Sequence, residues 1–134
     1  MPKEATVDNS NFSIKNLTKG KPPRLPFARI KAEILGKKYN LSLVFAGNAL
    51  TERLNTTYRG KHKPTNVLSF PLSKTSGEIF VNLKQAKKEA RKFGEGYRNF
   101  VGLLFIHGLL HLKDMRHGIK MEQAEKRLRK RFLI

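Results

Sequence analysis

The segment Phe105–His117 reads F-I-H-G-L-L-H-L-K-D-M-R-H and holds three of the four histidines of the chain. It sits in a longer run, Phe100 to Leu112, that is apolar almost all round, so as a helix it must be buried on most sides. That run is too short to span a bilayer. His107 and His111 fall one helical turn apart, about 40° out of register, and project from one face. Two buried imidazoles without partners would cost about 1–3 kcal/mol each, whereas a shared metal ion uses their lone pairs directly. On these two residues alone a second reading stays open, a pair of core histidines bonded to backbone carbonyls.

His117 changes the balance. A continuing helix would carry it about 240° round from His111, so the helix has to stop between them. Asp114, which tolerates the left-handed conformation of a helix end, and Gly118 beyond it supply the stop. A returning loop then delivers His117, and three histidines leave a fourth position open for water, the arrangement of catalytic rather than structural zinc.

With 134 residues, the chain is expected to be one domain over residues 1–134 with one core. Cysteine is absent, which excludes disulfides, thiolate-bound zinc and a cysteine nucleophile. No secretory signal pattern opens the sequence, and a cytoplasmic protein is expected. The net charge of +18 comes from 28 basic and 10 acidic residues, and between Asn9 and Gly77 the only acids are Glu33 and Glu52. Such an excess points to a polyanionic partner, nucleic acid first and an anionic membrane surface second.

Working outward, residues 1–25 read as a polar, basic arm free to flex, loop apart from a short strand at Ala5-Thr6-Val7. Phe27, Ile30, Ile34 and Leu35 give a first helix over 26–37 ending at Gly36. Tyr39 to Ala46 alternates and then turns wholly apolar, as a strand entering a sheet interior does. Asn48 is expected to cap a second helix over 49–58 on which Leu50, Leu54 and Tyr58 form one face. The basic loop Arg59 to Thr65 follows, then strands at Asn66–Pro71 and Glu78–Val81. Pro71 places the first of these near an edge. Asn82 caps a basic helix from Leu83 to Phe93, the histidine helix starts near Tyr97, and a last helix over 120–132 turns Met121, Leu128 and Phe132 inward. About four strands and about five helices make an α+β chain.

The pattern H-E-x-x-H of metalloproteases needs a glutamate beside the first ligand as general base, and here that position is Gly108. A protease therefore lacks its agent of proton transfer. A three-histidine zinc site can still bring the pKa of a bound water to about 7, which suits phosphodiester hydrolysis. Ser69 lacks the G-x-S-x-G elbow of a serine hydrolase, and His62, alone among lysines, reads as a solvated loop residue rather than a fourth ligand.

The run H-G-L-L-H-L-x4-H at 107–117, preceded by Y-R-G-K-H-K-P-T-N-V-L-S-F-P at 58–71 and G-E-I at 77–79, resembles the YbeY family of bacterial rRNA-maturation endoribonucleases. The resemblance covers the chain from about Asn40 to the end. It implies a small mixed sheet flanked by helices in a zincin-like topology. It also implies one zinc ion held by His107, His111 and His117 with a water, catalytic roles for Arg59 and His111, and RNA contacts from Arg59, Lys61 and Lys63. The implied activity is cleavage of single-stranded RNA in rRNA maturation, at the 3′ end of 16S rRNA, and in ribosome quality control. The implied partners are rRNA, the small ribosomal subunit and other ribosome-assembly proteins, with the protein a monomer off the membrane. A rival reading, a non-catalytic ribosome-binding factor with a structural metal, uses the same ligands. The chain departs from the family where a turn glycine is replaced by Asp114, where an acid before the last histidine is replaced by Arg116, and at His62 and Asn66, where acids are common.

Overall fold

Along the strand Asn40–Ala46 the side chains of Leu41, Leu43 and Phe45 are almost wholly buried on one face while Val44 and Ala46 are buried on the other. A strand covered on both faces lies inside a sheet with helices on either side. The computed structural model describes residues 5, 6 and 11–134. Its elements in chain order are β1 (Ala5–Thr6), β2 (Phe12–Asn16), α1 (Phe27–Leu35), β3 (Asn40–Ala46), α2 (Asn48–Arg59), β4 (Val67–Ser73), β5 (Ser76–Asn82), α3 (Leu83–Lys92), α4 (Tyr97–Leu112) and α5 (Ile119–Phe132). The sheet order is β1-β2-β3-β5-β4, with β2, β3 and β5 parallel and the two edge strands antiparallel to their neighbours. The α+β class, the mixed sheet, the five helices and the zincin-like arrangement all agree with the sequence reading.

The fifth strand is a correction. Phe12–Asn16, expected to be loop, pairs with β3 through the register Phe12↔Leu41 to Asn16↔Phe45. Its alternation of Phe12 and Ile14 was too short to stand out in a polar arm, and β3 supplies the burial that makes it a strand, leaving Phe12 2% exposed. Beyond β2 the arm is also tied down, with Tyr97 Oη donating to the Lys21 carbonyl at 3.1 Å and Arg98 Nε to that of Arg24 at 3.3 Å. Val7, expected to extend β1, lies outside the described residues.

One face of the sheet carries α1, α3, α4 and α5 around a shared core centred on α4. Phe105 of α4 meets Phe27 edge-on at 5.1 Å and Phe12 at 6.4 Å. Each such ring contributes about 1.5–3 kcal/mol by leaving water. On the other face lies α2, where one expectation fails. Asn48 is the first residue of α2 and Gly47 its cap. The buried side chains of α2 are Thr51 and Asn55, while Tyr58 stands 65% exposed. The reason is Asn82. Fully buried at the end of β5, it caps α3 by accepting from Gln85 N at 3.0 Å and donates to Asn48 Oδ1 at 2.9 Å and Thr51 Oγ1 at 3.0 Å. This polar knot draws the Thr51 stripe of α2 onto the sheet.

At the free edge, Asn82 N donates to Asn66 O at 2.9 Å, so Asn66, Leu68 and Phe70 turn their backbone groups toward β5. Val67, Ser69 and Pro71 then point theirs outward, and the missing N–H of Pro71 costs the ladder nothing.

Replacing Asn82 by alanine removes an N-cap worth about 1 kcal/mol and strands the partners on α2, for an expected loss of about 2–3 kcal/mol. Urea titration of Asn82→Ala against wild type measures it, and Asn82→Asp, which keeps the cap but lacks the amide donor, should recover only part.

Candidate metal centre and cleft

His107 and His111 lie on one face of the last turns of α4, and the helix ends as required. Asp114 takes the left-handed conformation with φ 69°. Its N–H bonds to His111 O at 2.9 Å, and Met115 N–H bonds to Leu110 O at 3.0 Å. These two bonds form the paired closure of a Schellman end, a place glycine usually fills and aspartate tolerates. Gly118, at φ 149°, then starts α5 in a backbone conformation that favours glycine. Between these two bends the chain presents His117 to the other histidines.

The three Nε2 atoms converge, with His107 to His111 at 3.0 Å and His117 3.2 Å from each. The outer nitrogens show what this can hold. Met115 O, which can only accept, lies 3.1 Å from His111 Nδ1, and the Glu125 carboxylate lies 2.5 Å from His107 Nδ1. Both Nδ1 atoms therefore carry the proton and both Nε2 atoms turn bare lone pairs on each other. A shared cation, either a metal ion at their centre or a proton between two of them, relieves that repulsion. The edge of a tetrahedron about zinc with ligands at 2.0–2.1 Å is about 3.3–3.4 Å, close to the observed separations. The three residues fit a metal ion, with Glu125 and Met115 orienting two of the rings.

Glu125, on α5, is the residue beside the triad that the sequence reading missed. Only the helical packing of α5 on α4 brings it to His107, and no local spacing signals that. Burial holds the His111 imidazole below its ordinary value of 6.5, and the neighbouring His107 and His117 act in the same direction. The Met115 carbonyl and Glu125 pull the other way.

The triad opens into a cleft of roughly 620 Å³ along the free edge of β4, with Tyr58, Arg59, Ser69 and Phe70 among its walls. Arg59 ends α2, and its guanidinium forms no hydrogen bond or ion pair among the described residues. The structure thus brings Arg59 and the three histidines into one cavity. Lys61 and Lys63 are exposed on the adjoining loop and do not line it, and His62 is likewise exposed and apart from the triad. Gly108 is packed against β4 and β5: a Cβ there would come within 2.9 Å of Ser69 Oγ, which donates to the Gly108 carbonyl at 3.0 Å. The position that holds a protease's glutamate is closed by the sheet. Arg116 is exposed on the turn.

A family model described as Endoribonuclease YbeY matches residues 11–132. The chain belongs to the YbeY family. Among its relatives, the Endoribonuclease YbeY of Ehrlichia chaffeensis is 40% identical over 99 residues, 70% of this chain and 64% of that protein. The Endoribonuclease YbeY of Ehrlichia ruminantium strain Gardel is 35% identical over 118 residues, 84% of this chain and 71% of that one. The alignments thus span about two thirds of these relatives' length. A Thermotoga maritima protein solved in solution superposes with a TM-score of 0.61 at 27% identity, covering 86% of this chain and 85% of its own. The YbeY-like motifs at 58–71 and 107–117 are the two walls of the cleft.

Two outcomes follow from the triad. Glu125→Gln should weaken metal binding about 10–100-fold, read by competition with a chromophoric chelator, while leaving the circular dichroism spectrum unchanged. In the metal-free protein, His111 has a folded pKa below its unfolded one. Its contribution to stability is therefore present above pH 6.5 and lost as pH falls from there toward the folded value. The melting temperature of chelator-treated protein should drop from pH 7.5 to 5.5, and His111→Gln should flatten that drop.

Proposed function

We propose that this protein is a metal-dependent endoribonuclease that cuts single-stranded RNA, with zinc held by His107, His111 and His117 and a water completing the site. The observation that carries the reading is the convergence of three Nε2 lone pairs on one point of a cleft that also holds the uncommitted Arg59. Its relatives bear the name Endoribonuclease YbeY, which supports RNA as the substrate.

Zinc, when bound, supplies Lewis acidity for phosphodiester hydrolysis. The remaining work falls to the chain. Arg59 can hold a phosphate bidentately and stabilise charge that develops on its oxygens. Its place at the C-terminus of α2, with no carboxylate paired to it among the described residues, keeps that fork free. Glu125 holds the His107 proton on Nδ1, and the Met115 carbonyl does the same for His111, so both rings face the site in the ligating tautomer. Lys61 and Lys63 extend positive charge along the loop and add contacts to flanking phosphates.

The finer reading is maturation of rRNA, at the 3′ end of 16S rRNA, and ribosome quality control, by a cytoplasmic monomer working with the small subunit and other assembly proteins. The net charge of +18 suits that polyanionic partner. Among the described residues no helix is long and apolar enough to cross a membrane.

Single-stranded fragments of the 16S rRNA 3′ region are the test substrate. Zinc-loaded wild type should cleave them, Arg59→Ala should be slower by roughly 10²–10³-fold, and His111→Ala should lose both metal and cleavage. Cleavage-free wild type, or variants that cut as fast as wild type, would overturn the nuclease reading.

A further inference from the structure

An aromatic pair on the wall of the cleft opposite the triad takes no part in holding it. Tyr58 is 65% exposed at the end of α2, against 8% for Tyr39 in the core. Its ring lies 5.0 Å from that of Phe70 on β4, at 56°, and Phe70 meets Phe80 of β5 edge-on at 5.8 Å. Phe70 is thus pinned from behind and keeps Tyr58 from folding onto the sheet. The Tyr58 hydroxyl has no hydrogen-bond partner among the described residues, so no polar contact explains the position of the ring. Both rings line the cleft that contains Arg59 and the three histidines, and Arg59 is the next residue in the chain.

A phosphate-binding guanidinium beside an exposed, backed aromatic ring matches one polymer in particular. In a nucleic acid strand every phosphodiester lies next to a planar base, and an unpaired base has a free face to stack. In a duplex that face is covered by neighbouring base pairs. We propose that Tyr58, supported by Phe70, forms a base-stacking subsite that seats an unpaired nucleobase beside the phosphate held by Arg59, and that this contact makes the cleft select single strands. The inference deepens the nuclease reading and rests on it for the placement of the phosphate.

The chain contains no tryptophan and three tyrosines, so its tyrosine emission is readable, and Tyr58 is the most exposed of the three. The probes are a single-stranded oligoadenylate, the same strand with one abasic position walked along it, and a duplex of equal length. The single strand should quench emission of the wild type and leave Tyr58→Phe within about twofold of its affinity. Tyr58→Ala should bind about tenfold more weakly, by the same factor at low and high salt, because stacking releases no counterions. Duplex affinity should not change, and one abasic position should erase the difference between wild type and Tyr58→Ala. The subsite is overturned if Tyr58→Ala binds and cleaves single strands as wild type does, or if Tyr58→Phe is as weak as the alanine variant. Cleavage that survives Tyr58→Ala unchanged removes the subsite and leaves the nuclease. Tyr58-dependent binding without cleavage by zinc-loaded protein does the reverse. A wild type that binds no oligonucleotide removes both.

Discussion

A helix that is apolar on nearly every side can be stable only if other elements surround it, and at its end it must still hand polar groups to solvent. That constraint on α4 organises the molecule. Phe105 anchors the helix against Phe12 and Phe27, and the packing of α1, α3 and α5 around it closes the core. The sheet closes the remaining side so tightly at Gly108 that an added Cβ would come within 2.9 Å of Ser69 Oγ and 3.2 Å of Ile79. What is left open is the last turn, where His107 and His111 reach the surface and the backbone reverses at Asp114. The rigidity of the site is borrowed from the core. A triad with lone pairs about 3 Å apart needs a scaffold that cannot relax away from the repulsion when the site is empty of charge.

How much of this could be read in the residues depended on how local the cause was. The span of α4, its stop at Asp114 and the delivery of His117 follow from helical spacing and backbone preference within one short segment. The basic loop after α2 and the edge position of β4 follow from glycine, lysine and proline in order along the chain. Where a long-range partner decided the outcome, the sequence was silent or misleading. β2 is a strand only because β3 lies beside it. Leu50, Leu54 and Tyr58 share one face of α2, yet it is Thr51 and Asn55 that are buried, drawn inward by Asn82 from another element. Glu125 was invisible for the same reason, since its contact with His107 crosses between two helices.

The departures of this chain from its family at Asp114 and Arg116 have different standing. Asp114 occupies the conformation that glycine would, with both closing hydrogen bonds made, so the turn keeps its shape. Arg116 places a cation on the exposed turn, where the carboxylate that orients a ligand is supplied from elsewhere, by Glu125 of α5. An acid in the turn is therefore not required to fix the His107 tautomer. The local charge at the mouth of the cleft is correspondingly more positive, which favours an anionic polymer over a small hydrated cation.

The free edge of β4 has one more consequence. Exposed strand edges invite other chains to add a strand, and a cleft that must stay open cannot be covered to prevent it. Here the outward-facing positions are Val67, Ser69 and Pro71, and the register of β4 on β5 shifts between Pro71 and Ser73. An intruding strand would find donors at only two alternate residues before meeting proline and an irregular backbone, flanked by lysines that repel another copy of so basic a chain. The molecule keeps an edge long enough for a ligand to lie along, interrupted where an added strand would have to continue.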